Sequence, residues 1–548
     1  MHDRTQPSLI RHAKWLAIIA IMLLSVACGK DPVDRDPVPT DAGFDTDVWE
    51  GDADEDGSSG SEDVEDDAET DTDPVDPIDP GGEVIECERP IAPPTSGELC
   101  DVTPGTSGYT LIHGTILAGT KIYKEGYLLI DDARPNATIA CVGCDCADEA
   151  DAADATIMSC AEGVVSPGLI NPHDHITFSL SHPQPHGEER FDHRHDWRTG
   201  ARGSSRVSTS PGSDNSHEGI LYGELRMLFG GATSVAGSIG SNNASGLLRN
   251  LDNVNHTEGL SGIDVSYRTF PLGDTNGTLR STNCDYPNID GENRLNTGIY
   301  LPHISEGIDN EARNEFHCLS GASGSDLIRE NTSIIHGIGL NALDVALMAE
   351  RGAMLVWSPR TNIDLYGNTA KIPLFKNFGI PIGLGTDWSA SGSMNMLREL
   401  QCADYLNTHH FNFTFNDLEL WQMATYGAAI TMGASHKIGL LFEGYVADVT
   451  IFDGTSRQPY RAVIDADTAD VSLVLRGGEP LYGDANIVEG LVPPAEIDGC
   501  EFIDVCSRER RLCVERDAGK TLGHIRNAVH QNAYALFFCG EPDNEPSC

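Results

Sequence analysis

Basic residues are scarce in this chain. Thirty-six lysines and arginines stand against 84 aspartates and glutamates, a formal net charge of −48 over 548 residues. That balance excludes nucleic acid and anionic membrane surfaces as partners. Apolar runs long enough to cross a bilayer are missing too. The run at residues 15–27 has only thirteen residues, too few for a membrane-spanning helix. Cys141, Cys144 and Cys146 have no second cysteine pair at zinc-finger spacing, so disulfides are expected there rather than a metal knuckle. No lysine at all lies between Lys124 and Lys371.

What is present at the N-terminus is a basic region (Arg4, Arg11, Lys14) followed by that short apolar run, the pattern of an export signal over residues 1–27. The run ends Leu24-Ser25-Val26-Ala27-Cys28-Gly29 and resembles a bacterial lipobox, in which Cys28 is lipidated and becomes the new N-terminus. Ser25-Val26-Ala27 also suits ordinary small-x-small cleavage. Cysteine arithmetic favours the first reading: of 15 cysteines, lipidation of Cys28 leaves an even number for disulfides. An exported lipoprotein held at a bacterial cell envelope by its lipid is therefore expected, with a secreted or periplasmic protein as the alternative. Oligomeric state is not indicated. Residues 31–80 hold 21 acids and one base, Arg35, with few apolar residues. Such a stretch cannot bury a core, so 28–82 is expected to be a disordered tether, and it lacks the glycine and spacing of a calcium-binding loop.

The chain is organised around Ser166-Pro167-Gly168-Leu169-Ile170-Asn171-Pro172-His173-Asp174-His175. Alternate residues of a strand share a face, so His173 and His175 aim their imidazoles the same way off a strand end. A pair of exposed loop histidines is the plain alternative, but the rest of the chain opposes it. Helix-like runs are repeatedly followed by glycine and a short apolar run: 221–229 before Thr233-Ser234-Val235, 342–351 before Met354-Leu355-Val356-Trp357, and 376–378 before Ile380-Pro381-Ile382. That is the helix-to-strand step of a parallel α/β fold, and over roughly 265 residues it suits a (β/α)8 barrel, whose chemistry lies at strand C-termini. Polar residues end the apolar runs: His303 and Glu306 after 298–302, His336 after Ser333-Ile334-Ile335, Asp387 after Gly385-Thr386.

These residues, in this order, resemble the amidohydrolase superfamily of metal-dependent hydrolases: Pro167-Gly168-Leu169-Ile170 with His173-x-His175, then His303-x-x-Glu306, His336-Gly337 and Gly385-Thr386-Asp387. Gly439-Leu440, Gly444 and Ala447-Asp448 resemble the family's return into a small β-domain. The resemblance implies a TIM barrel at 166–435 and a composite β-sandwich from both flanks, 83–165 and 436–495, leaving a disulfide-rich appendage at 496–548. In that tail 521–538 looks helical. Without a lysine in the middle of the barrel, the carboxylated-lysine bridge of many binuclear members is closed, although a Glu or Cys bridge stays open. His303-x-x-Glu306 instead resembles mononuclear deaminases and triazine hydrolases. The implied centre is one divalent ion on His173, His175, His303 and Asp387, most suited to zinc, with iron or manganese as alternatives. Asp387 would orient an activated water, Glu306 would carry its proton to a leaving nitrogen, and His336 would polarise the substrate. The stretch 358–365 resembles the substrate-side motif of those members, with Thr361 in place of the usual serine, and implies substrate contacts from Asn362 and its neighbour Trp357. The histidine-rich segment with His182, His186, His193, His195 and Trp197 is expected to be a loop over the barrel mouth, not a source of ligands. The expected activity is hydrolysis of a non-peptide C–N bond in a small molecule, deaminase-like. The alternatives are a binuclear cyclic-amide or peptide-derivative hydrolase and a non-catalytic surface binding lipoprotein.

Overall fold

The structure, a computed structural model, describes residues 81–548 apart from 238–240, 245, 297 and 458. The expected signal peptide, Cys28 and nearly all of the expected tether lie outside the described residues.

Eight short strands build the barrel: Leu169–Asn171, Ala232–Val235, Arg249–Asn250, Val265–Arg268, Ile299–Ile304, Ser333–His336, Met354–Trp357 and Ile382–Leu384, the first to eighth barrel strands in chain order. Every pairing among them is parallel, and a parallel bridge between Asp174 and Asp387 joins the ends of the first and eighth. Most are buried along their whole length. Strands covered on both faces need apolar runs rather than alternation, which is what Ile334-Ile335 and Leu355-Val356 supply. Helices deliver the chain to the strands where the sequence pattern expects them: His217–Phe229 before the second, Ala342–Glu350 before the seventh, Ile372–Asn377 before the eighth; among the described residues, loops without a helix lead to the third and fourth. Gly352 (φ 71°) and Gly379 (φ 70°) make the left-handed turns between helix and strand that a side chain would strain.

Both flanks feed one eleven-stranded sheet. Thr156–Pro167 pairs antiparallel with Val449–Asp453, so the N- and C-terminal flanks meet strand to strand. Their side chains share one core, with Ile112, Leu128 and Val165 packed with Val449, Ile451 and Leu473. Thr156–Pro167 then runs straight into the barrel. At the join, Gly168 is required by close approach: a β-carbon there would lie 2.3 Å from Thr233 Cγ2. A buried ion pair clamps the two parts. Arg249 on the third barrel strand donates to both carboxylate oxygens of Asp448, at 2.8 and 2.9 Å. Asp448 Oδ1 also accepts from the Gly477 amide, at 2.6 Å.

The tail departs from expectation in two ways. Strands Glu501–Val505 and Arg508–Leu512 form a hairpin that pairs with Glu479–Asp484, so the segment begins as an extension of the same sheet rather than a separate appendage. Within 521–538 only Leu522–Ala528 is helical. Beyond it the backbone turns its polar groups to the barrel: the Tyr534 carbonyl accepts from Tyr222 Oη (2.8 Å) and Arg226 Nη2 (3.1 Å), and its amide donates to Leu180 O. Tertiary partners replace the helical ones. Among the described residues fourteen cysteines form seven disulfides: 87–144, 100–160, 141–146, 284–318, 402–548, 500–513 and 506–539. The cluster at 141–146 is thus disulfide-bonded, as expected.

The clamp gives the first test. Arg249→Met leaves the Asp448 carboxylate buried against one amide donor, and should cost about 3–5 kcal/mol of stability in denaturant unfolding. Asp448→Asn added to it should recover part of that loss.

Candidate metal centre

Four imidazoles and a carboxylate meet at the C-terminal end of the barrel. His173 and His175 follow the first strand, His303 lies on the fifth, His336 ends the sixth, and Asp387 follows the eighth. The ligand atoms of His173, His303 and His336 lie within 4.8 Å of one another, as do those of His173, His175 and Asp387. Asp387 Oδ1 is 3.5 Å from His173 Nε2 and 3.3 Å from His175 Nε2. His336 thus stands as deep in the cage as the residues expected to ligate.

The histidines are aimed from behind. His173 Nδ1 contacts Ser358 Oγ at 2.8 Å, His303 Nδ1 meets the Arg268 carbonyl at 3.2 Å, and His336 Nδ1 meets Asn362 Oδ1 at 3.1 Å. A carbonyl can only accept, so Nδ1 of His303 and of His336 carries the proton and Nε2 keeps its lone pair. Nε2 of His173, His303 and His336 is buried with no hydrogen-bond partner among the described residues. Buried polar atoms are nearly always paired. Three orphaned lone pairs converging beside a carboxylate are the donor set of a divalent cation. Burial, with the neighbouring imidazoles, holds His173 and His303 well below the usual histidine range, which keeps them in the neutral form that ligates. His175 differs: burial presses its pKa down, but Asp387 beside it outweighs that and raises it. Between the two histidines, Asp174 is buried and accepts from Thr386 Oγ1 (2.8 Å) and Asn171 Nδ2 (3.2 Å). Burial lifts its pKa to about 7. The backbone is strained at the strand ends that carry the site, with φ of 56° at Ser305, 74° at His336 and 60° at Asp387.

Glu306 stands beside the cage. Its Oε1 accepts from Tyr366 Oη at 2.7 Å, and its Oε2 lies 3.6 Å from His336 Nε2 and 3.8 Å from Arg194 Nη1. Burial and the Glu306 carboxylate keep the Tyr366 hydroxyl protonated, far above the usual phenol range. A cavity of ≈ 480 Å³ opens over the cage, with His175, His303, Glu306, His336 and Asp387 at its base. Phe178, Trp197, Phe270 and Trp388 supply aromatic walls. Two larger hollows, of ≈ 610 and ≈ 620 Å³, lie on the β-domain and against the tail and contain none of the cage residues.

Every residue expected to ligate or catalyse is therefore brought to one place: His173, His175, His303, Glu306, His336 and Asp387. The two expected substrate contacts are not. Trp357 is wholly buried in the core and donates through Nε1 to Thr369 Oγ1 at 2.7 Å. Asn362 sits behind His336 and also bonds Thr369 Oγ1, at 3.1 Å. Neither lines the cavity. The helix Pro359–Tyr366 turns Asn362 to the far side of the imidazole, so its work is to orient His336. The histidine-rich segment supplies no ligand: His193 Nε2 lies 3.2 Å from Glu315 and His195 Nε2 lies 2.8 Å from Asp274. It does cover the mouth, since Arg194, Trp197 and Arg198 of helix Arg194–Thr199 line the cavity. Tyr366, Phe270 and Trp388 had no motif to mark them; only the site's own geometry does.

Comparison with known proteins places these features. Residues 297–483 match the model of the amidohydrolase family. A 5-methylthioadenosine/S-adenosylhomocysteine deaminase of Thermococcus onnurineus is 35% identical over 136 residues, covering 24% of this chain and 30% of that enzyme. A 5'-deoxyadenosine deaminase of Methanopyrus kandleri is 28% identical over 175 residues, covering 30% of this chain and 40% of that enzyme. The chain thus spans well under half the length of these curated relatives. Among solved structures, a mutant atrazine chlorohydrolase from Arthrobacter aurescens, complexed with zinc and atraton, superposes with a TM-score of 0.51 at 17% identity, over 68% of this chain and 95% of that one. It supports the barrel fold.

Elemental analysis of purified protein should find about one divalent ion per chain. His303→Ala, which removes a buried donor, should lower that occupancy by at least about tenfold under dialysis, and chelation should lower the melting temperature of the parent but not of the variant.

Proposed function

We propose, taking residues 297–483 as a segment of the amidohydrolase family, that this chain is a mononuclear zinc hydrolase that cleaves a non-peptide C–N bond, in the manner of a deaminase. The observation that carries this reading is the convergence of three unpartnered, buried imidazole Nε2 atoms next to Glu306. His173, His175, His303 and Asp387 would hold the ion, with iron or manganese as alternatives to zinc, and His336 Nε2 faces the same point. The ion supplies Lewis acidity that makes water acidic near neutral pH.

The chain's own groups supply the rest. Asp387, with one carboxylate oxygen against His175, presents its other oxygen 4.0 Å from His336 Nε2, where it can accept a proton of the attacking water. Glu306 is fixed by Tyr366 at Oε1, leaving Oε2 to receive a proton and pass it to the departing nitrogen. Arg194 Nη1 lies 3.8 Å from the same Oε2, on the side away from Tyr366. His336, once a substrate lies in the cavity, can stabilise charge developing on a carbonyl oxygen or ring nitrogen. Net addition of water to an sp² carbon and loss of ammonia or an amine then balances. A cavity of ≈ 480 Å³ suits a small molecule, and the deaminase relatives support a purine- or nucleoside-like ring as the first class to try.

We further propose that the enzyme is exported and lipid-anchored. The leader at 1–27, the Cys28 lipobox and the acidic tether support this location, and seven disulfides support an oxidising compartment.

Glu306→Gln should retain the metal and lose about 10²–10⁴-fold in turnover across a panel of aminopurines and small amides. Unchanged turnover would remove Glu306 from the mechanism, and two ions per chain would favour a binuclear amide hydrolase instead. In fractionated cells, Cys28→Ala should move the protein from the membrane to the soluble fraction.

A further inference from the structure

Five arginines recur at intervals of four from Arg190 to Arg206, and the last four, Arg194, Arg198, Arg202 and Arg206, fall in the segment that covers the cavity. Two have carboxylate partners. Arg194 Nη2 lies 2.8 Å from Asp274 and 3.4 Å from Glu315, and Arg202 bridges Asp196 and Asp309 at 2.5 and 2.8 Å. The other two line the cavity and have none among the described residues. Arg198 is half-buried, lies 4.8 Å above the Phe270 ring, and donates only to neutral acceptors: the Thr275 and Asp274 carbonyls and His195 Nδ1. Arg206 is exposed at the rim and makes no hydrogen bond or ion pair to a described residue. The chain carries 84 acids to 36 bases. In such a chain two unpaired guanidinium groups facing one cavity are conspicuous, because arginine's fork matches carboxylate and phosphate geometry. Among the described residues the only carboxylates lining the cavity, Glu306 and Asp387, sit at its metal end. Between the two ends lie aromatic faces: Trp388 is 5.2 Å from Trp197, 6.1 Å from Phe178 and 6.3 Å from His175, ring to ring.

We propose that the substrate is a planar ring or acyl group bearing an anionic substituent, a carboxylate or a phosphomonoester, which Arg198 and Arg206 bind while the C–N bond faces Glu306 and the histidine cage. The proposal rests on the hydrolase reading for which end of the molecule reacts, but the anion site itself is read out by binding alone. The anion would enter as the charged partner the two arginines lack, and the aromatic walls would hold the planar part between the charged ends.

The test is calorimetric titration of the metal-loaded, full-length protein with N-benzoylglycine, its neutral primary amide and phenyl phosphate. N-benzoylglycine should bind at least about tenfold tighter than its amide at low salt, the gap narrowing as salt rises. Arg206→Gln, at an exposed position with no protein partner to lose, should close most of that gap, and Arg198→Gln should do the same. Tighter binding of phenyl phosphate than of N-benzoylglycine would assign a phosphomonoester, and the reverse a carboxylate, either supporting the proposal. Equal affinity for the anionic and neutral probes would overturn it. So would a preference that survives both substitutions, because the carboxylate would then be resting on the metal. Glu306→Gln should keep the preference while losing turnover, so a failed hydrolase reading and a failed anion site give different results.

Discussion

Three buried lone pairs aimed at one point are the constraint on which the rest of this molecule depends. An imidazole Nε2 with no partner is costly in a protein interior, and His173, His303 and His336 present three together. Nothing local would hold that arrangement. It persists because each ring is gripped at Nδ1 by a group on another element: Ser358 after the seventh strand, the Arg268 carbonyl ending the fourth, and Asn362 in the helix that follows the seventh. The barrel is therefore more than a frame. Parallel pairing sets fourth, fifth, sixth and seventh strands side by side, which brings His303 and His336 to their supports, while His173 reaches Ser358 across the barrel end.

The clamp between barrel and β-domain extends the same logic outward. The strand that ends at Pro167 delivers His173 and His175 six and eight residues later, so any slip of that strand would move two cage residues together. Its register is fixed by antiparallel pairing to Val449–Asp453 and by the Gly168 amide bonding the Asp448 carbonyl. Asp448 is in turn locked by Arg249. The tail adds a strap: its disulfide from Cys548 to Cys402 and the pairing of Glu545 with Arg398 hold its end against the helix Met396–His409.

Much of this was legible in the sequence because strand ends carry a simple code. A buried parallel strand must be apolar, so a polar residue at its last position stands out, and His303, His336 and Asp387 were visible for that reason. Trp357 and Asn362 are expected from the motif resemblance at 358–365, not from this code, and the structure places both behind the cage. Trp357 ends a strand but faces the packing between strand and helix, and Asn362 lies on a helix whose rotation about its axis no strand pattern reports. The arginines of the mouth carry no sequence mark, because Arg198 and Arg206 are set apart from Arg194 and Arg202 by having no carboxylate within ion-pair distance among the described residues, which depends on where Asp274, Glu315 and Asp309 fold. The tail's helix was overextended because periodicity ignores the Tyr222 and Arg226 donors waiting on the barrel.

Strain and orphaned lone pairs lie side by side in the cage and meet at His336, and that proximity has a consequence. Ser305, His336 and Asp387 adopt left-handed backbone angles that residues with side chains avoid, and each borders or belongs to the cage. Without a cation, the fold bears both the strained backbone and the unpaired imidazoles; with one, the second cost is lifted while the first remains. Metal affinity and folding stability are then a single coupled quantity in this protein. The strained residues act as the fixed part of that coupling: His336 and Asp387 sit in pairings at strand ends, so the shape of the cage is set by the barrel's own hydrogen bonding. A preorganised cage of this kind favours ions whose preferred geometry it already fits, which makes the barrel's backbone, as much as the donor atoms, a determinant of which metal the site accepts.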